Sequence, residues 1–221
     1  MKRKDSHQLR NLGVSWGLLL LSLISGLAFP SGGVAQSRVE IRGLNYPWME
    51  EVVEVSLREA EYHFTRLTGF PSRGSWQLLL LPVESFYSNQ QFPGWSAGVY
   101  QGNTVILPDP AILLKKGILI QTLKHEFLHA LLGTSGLLLP LWLEEGMVGS
   151  VFPPSWPEEV DNSEVKEVKE RYRGWVADFA VFKEKIGEEA LPQFFSQVKA
   201  IGFEQVFSAW MKGKQTPPET Y

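Results

Sequence analysis

The chain has 221 residues, 44% of them apolar and 20% charged, with a formal net charge of −3. That is ordinary globular usage, enough for one domain plus an export segment, and it excludes a disordered or coiled-coil protein. The slightly acidic balance offers no electrostatic footprint for nucleic acid.

Residues 1–35 stand apart in composition. Lys2, Arg3, Lys4 and Arg10 form a basic start, Leu12 to Phe29 is an apolar stretch, and Gly33-Val34-Ala35 presents small residues of the kind a signal peptidase reads. This order predicts a secretory signal peptide cleaved after Ala35. An uncleaved anchor is the alternative, because about 18 apolar residues just span a bilayer. Either way the protein is expected to be exported, to the periplasm or outside the cell of a bacterium, and to meet a membrane only through this segment. Cleavage removes four basic residues and Asp5, so 17 Lys and Arg then face 23 Asp and Glu, a net of −6. With no cysteine in the chain, residues 36–221 must fold without disulfides and without a lipid-bearing thiol, which a single domain of this size can do.

Arg38 to Arg42 alternates polar and apolar residues, as a short strand does. After Pro47, Val52, Val53, Leu57, Ala60, Phe64 and Leu67 recur at spacings of three and four, which predicts a helix stopped by Gly69. Trp76 to Leu81 is a continuous apolar run closed by Pro82, the pattern of a buried strand. Residues 84–95, with Pro93-Gly94, read as a loop; its Tyr87, Phe92 and Trp95 could line a substrate groove, though loop packing is the simpler role. Gly98 to Pro108 reads as a hairpin turning at Gln101-Gly102-Asn103. Residues 116–132 form a helix that is apolar nearly all round, with Gln121 and Lys124 as the breaks, and such a helix belongs inside the domain. Pro140 opens another, to about residue 151. Beyond Pro157 the pattern is helical: a charged, solvated helix over 159–173, then pieces near 174–186, 189–199 and 203–211. The eight tryptophans suit helix packing better than a carbohydrate platform.

The chemistry lies in His125-Glu126-Phe127-Leu128-His129. Histidines four apart on a helix project from one face on successive turns, so both imidazoles can reach one ion, while the intervening Glu126 sits beside that ion and can serve as a base. Three ionisable groups in an apolar helix would be costly without a metal or partners. Zinc in such a site takes a third protein ligand and keeps one open position. The only other histidine beyond residue 35 is His63, on the upstream helix, so a carboxylate is expected. Glu144 and Glu145, in Leu141-Trp-Leu-Glu-Glu-Gly146, are both candidates; the helical wheel favours Glu145 slightly, between Leu141, Trp142, Val148 and Gly149. An intramembrane protease is disfavoured by Lys115, Lys116 and Lys124 and by the break at Gly133–Gly136.

His125-Glu-x-x-His129 with fifteen residues between His129 and Glu145, the latter within Trp142-Leu-Glu-Glu145-Gly146, resembles the gluzincin metallopeptidases, in particular the small bacterial peptidase MA-like group. The likeness extends over roughly 95–210. It implies an α+β zincin-like domain with a small mixed sheet, the motif helix behind it and a helical C-terminal half. It also implies one zinc ion held by His125, His129 and Glu145, Glu126 as general base, and peptide or protein substrates. Zincins pair an extended substrate along an edge strand, for which Thr104, Val105, Ile106 and Leu107 are the candidates. Where gluzincins often place a supporting Asp, Ser or aromatic residue, four or five positions after the glutamate ligand, this chain has Gly149 and Ser150, leaving no visible partner to orient His125. Tyr172 is the candidate transition-state stabiliser. Two other classes fit the same residues: a non-catalytic zinc-binding module, and a zinc amidase acting on cell-wall cross-links.

Overall fold

A computed structural model describes residues 37–89, 92, 96–154 and 163–212, with Glu164 described by its backbone alone. Residues 1–35, read as an export segment, together with Trp95 and the start of the charged run, lie outside the described residues. Among these described residues, four strands and eight α-helices follow one another in mixed α+β order.

Strand β1 (Arg38–Gly43) leads to helix α1 (Met49–Thr68), whose buried face carries Val53, Leu57, Ala60, Phe64 and Leu67 as its periodicity predicts. Glu50 and Glu51 in the first turn and Arg66 in the last complement the helix dipole, and Gly69 ends it in the left-handed region at φ 72°. Strand β2 (Ser75–Leu81) buries Trp76, Leu78 and Leu80 but leaves Gln77, Leu79 and Leu81 half-exposed. The apolar run is thus buried on one face only, because the helices cover that face and not the other.

Helix α2 (Val83–Tyr87) occupies the front of the segment read as a loop. Pro82 precedes it, and Phe86 anchors it with no exposed surface. Phe92 packs on Phe86 with ring centroids 5.0 Å apart, and the Tyr87 hydroxyl donates to the Ser96 carbonyl at 3.3 Å. Phe92 therefore packs its own loop, whereas Tyr87, though tied to it through its hydroxyl, stays 41% exposed.

Strands β3 (Val99–Gln101) and β4 (Thr104–Pro108) form the expected hairpin. Gly102 and Asn103 both have positive φ, 55° and 70°, as a two-residue turn of this kind requires. The sheet order is β1-β2-β4-β3, with β1, β2 and β4 parallel and β3 antiparallel to β4. This corrects one expectation. Thr104, Val105, Ile106 and Leu107 are not an edge, because β4 is paired with β2 along 104–108 and with β3 along 104–106. The edges belong to β1 and β3.

Helix α3 (Pro110–Lys115) was not foreseen, although its start carries a cap signal: the Asp109 carboxylate accepts from Ala111 N at 2.9 Å and Pro110 fills the first turn. Helix α4 (Leu119–Ser135) is the motif helix, starting after Gly117 rather than at 116. Helix α5 (Leu141–Val151) follows as expected. Helix α6 (Ser163–Ile186) runs unbroken through the position where the periodicity divides it, and a short 3-10 turn, α7 (Leu191–Ile201) and α8 (Phe203–Met211) complete the chain. One core joins the inner face of the sheet, α1, α4 and the C-terminal helices, where Phe179, Phe182, Phe194 and Phe203 cluster. Among the described residues no helix is long and apolar enough to cross a membrane.

Candidate metal centre

Helix α4 is buried where the motif lies: His125, Glu126 and His129 are each 7–8% exposed. Helix α5 packs against it and brings up Glu145, so that one donor atom from each of His125, His129 and Glu145 lies within 4.8 Å of the others. His129 Nε2 is 3.5 Å from Glu145 Oε2. A tetrahedral ion with bonds of about 2.0–2.1 Å sets its donors about 3.4 Å apart, so this pair already fits.

The remaining ring nitrogens have fixed partners. His129 Nδ1 bonds Glu144 Oε1 at 2.8 Å, so the adjacent carboxylates of α5 take opposite sides of one imidazole. That separates two residues which periodicity left close: Glu145 stands with the converging donors and Glu144 behind His129. His125 Nδ1 donates to the Phe152 carbonyl at 2.7 Å. This bond answers the missing support for His125. Phe152 caps α5, and carbonyls at a helix end have no partner within the helix, so one is free to accept from a neighbouring side chain.

Gly146 and Gly149 explain the third wall. A Cβ on Gly149 would stand 2.6 Å from Tyr172 Cε1, and one on Gly146 would collide with the Trp175 carbonyl. The two glycines let α6 close on α5, and the ring of Tyr172 fills the space beside Gly149. Its hydroxyl lies 3.4 Å from His125 Nε2 and bonds the Glu145 carboxylate. Gly146→Ala is expected to force the helices apart at a cost of about 1–3 kcal/mol, read as a lower urea midpoint. An unchanged midpoint would mean that the contact is easily relaxed.

Glu126 lies under β3. Gly98 packs on its side chain, and the Tyr100 backbone N–H donates to its carboxylate. The Tyr100 ring reaches on to Gly133, one helical turn past His129. No spacing rule points to Tyr100; only the pairing of the hairpin with α4 places it there.

The charges follow from burial and these partners. Burial pushes the Glu126 carboxyl up to about 7, with the Tyr100 N–H and the His129 charge opposing. Burial holds His125 down at about 4, its imidazole neighbour adding to the effect. Burial also disfavours charge on His129, but the bonds to Glu144 and Glu145 outweigh it and raise the group to about 10. Glu145 is lowered because His129 overcomes the burial of its carboxylate, and Tyr172 is raised by burial and by Glu145. In the metal-free protein an imidazolium therefore stands among carboxylates, supplying positive charge where an ion could sit.

No family model, curated protein or solved structure matches this chain. Two imidazole nitrogens, each on a ring held through its other nitrogen, and a carboxylate oxygen are a donor set suited to zinc.

Proposed function

We propose that the chain is a zinc-dependent peptidase of the gluzincin type with a zincin-like fold. The observation that carries this reading is the convergence of His125, His129 and Glu145 beside a buried Glu126 that is not one of the converging ligands. A purely structural zinc site has no use for such a base.

A zinc ion held there supplies Lewis acidity, polarising a carbonyl and making water acidic. Glu126, with a carboxyl near 7, is suited to take a proton from the attacking water at one oxygen and to return it to the leaving amine, while the Tyr100 N–H holds the other side of the group. The Tyr172 hydroxyl can donate to an oxygen that gains negative charge, since Glu145 and burial keep its proton in place at neutral pH. An extended substrate would lie along the free edge of β3, beside Glu126, rather than along Thr104–Leu107. The basic-then-apolar segment at residues 2–29 supports action outside the cytoplasm, on peptides or on cell-wall cross-links.

The test is metal analysis of the purified protein followed by assay of the zinc-loaded form on a peptide library and on peptidoglycan. One zinc per chain and cleavage of peptides are expected. Absence of transition metal after zinc-replete purification would remove the reading. Cleavage of peptidoglycan alone would transfer it to an amidase, and zinc without turnover to a binding module.

Zinc uptake should also be coupled to pH. At pH 7 His129 is protonated, its value of about 10 lying far above, and must lose that proton to bind metal; Glu126, near 7, can lose part of another. His125 is already neutral. Uptake is therefore expected to release about one to one and a half protons, and affinity to rise with pH through the neutral range. Calorimetry in two buffers of different ionisation enthalpy measures the number, and release of none would contradict the charge assignment.

A further inference from the structure

We infer that Phe152 is a positioning residue: its ring, clamped by Lys124 and His63 from outside the ligand cluster, fixes the carbonyl that holds His125 in its metal-binding tautomer. The inference rests on the metal reading above, but its test reads the protein's own protons as well as zinc.

A neutral imidazole offers one lone pair. For His125 to present Nε2, its proton must sit on Nδ1, and the acceptor that keeps it there is the Phe152 carbonyl at 2.7 Å. Such an acceptor is only as well placed as the peptide that carries it. Phe152 N still bonds Val148 O at 2.8 Å, but at φ −126° and ψ 81° the residue has left the helix. No ladder fixes the direction of its carbonyl, so side chains must.

Three residues of α4 meet this turn from one face, at helical positions i, i+3 and i+4. Gln121 Nε2 donates to the Pro153 carbonyl at 3.2 Å, the Lys124 ammonium lies 5.9 Å from the centre of the Phe152 ring, and His125 takes the Phe152 carbonyl itself. From α1 the His63 ring meets the Phe152 ring nearly perpendicular, at 83° and 5.2 Å between centroids. Lys124 is in turn paired with Glu59 of α1, its side chain 15% exposed. Every other lysine or arginine ion pair among the described residues leaves its cation at least 38% exposed. Phe152 as a whole is only 3% exposed. Cation and aromatic edge both require a π face, which an aliphatic side chain of similar size lacks.

The experiment uses the full chain labelled with 15N-histidine. Long-range proton–nitrogen NMR of the metal-free protein near neutral pH reports the tautomer, and competition with a chromogenic chelator reports zinc affinity. Wild type is expected to show His125 protonated at Nδ1. Phe152→Leu keeps apolar bulk; it should give a tautomer mixture at His125 alone and weaken zinc by about 10–100-fold, the usual cost of losing such support. Phe152→Tyr retains the π face and should stay close to wild type. Lys124→Met leaves the ring in place and should shift the same signals in the same direction, so it carries the test if Phe152→Leu does not fold.

Wild-type tautomer and affinity in folded Phe152→Leu, or in Lys124→Met, would overturn the inference. So would a loss of affinity with the His125 tautomer unchanged, or equal changes at His129. If wild type takes up no zinc while His125 responds to Phe152 as expected, the metal reading fails and the clamp stands.

Discussion

Glu145→Ala is expected to strip zinc from the protein almost completely, whereas Glu144→Ala should weaken binding by about 10–100-fold and leave a functional site. The difference follows from which nitrogen each carboxylate meets. Glu145 stands 3.5 Å from His129 Nε2, on the side where the donors converge, while Glu144 holds Nδ1 at 2.8 Å, behind the ring. On the proposed reading, losing Glu145 removes a ligand, whereas losing Glu144 removes only what orients one. His125→Ala and His129→Ala should match Glu145→Ala. Chelator competition across the four variants gives the ranking, and a tighter Glu145→Ala than Glu144→Ala would show that the carboxylates have been placed the wrong way round.

The second large effect separates an enzyme from a metal-binding module. Glu126→Gln keeps size and can still accept from the Tyr100 N–H, but it cannot take up a proton. Zinc affinity should stay near wild type, since Glu126 is not among the converging donors. Hydrolysis should fall by at least about 10²-fold, the lower range for general-base catalysis. The metal-free variant should also be more stable on the alkaline side. A carboxyl raised to about 7 from its ordinary 4.5 costs the fold stability as pH climbs through that interval, because the unfolded chain sheds its proton there while the folded one, whose charge would be buried, keeps it until about 7. The amide has no proton to lose. Zinc lost together with activity would make Glu126 a ligand or a folding element. Unchanged turnover on a confirmed substrate would assign the proton transfer elsewhere.

Much of this was legible in the residues. The motif helix, the helix bearing Glu144 and Glu145, the first helix with its glycine stop and the hairpin all follow from periodicity and turn chemistry, signals that act within a few residues. Strand pairing order does not. That Thr104–Leu107 is interior, and Val99–Gln101 the edge, depends on β2 docking from some twenty-five residues upstream, which no local pattern encodes. The support for His125 was invisible for a related reason. A backbone carbonyl has no residue identity, and only the end of α5 supplies it. In the sequence Gly149 is only a missing side chain; in the fold it is the space that Tyr172 fills. The paired glutamates did carry a usable signal: neighbours on a helix diverge by about 100°, enough to straddle a ring.

The β3 edge is three residues long. Val99 and Gln101 face Ile106 and Thr104 across the pair, and Tyr100 between them turns its peptide groups outward. Its N–H is already engaged by Glu126, which leaves one carbonyl as a rung for an incoming backbone. A single such bond contributes about 0.5–1.5 kcal/mol net, roughly a tenfold gain in affinity at most. If the proposed peptidase activity is present, short peptides should be held loosely, with KM high, and selectivity among them should rest on the side chains flanking the scissile bond rather than on the strand they form.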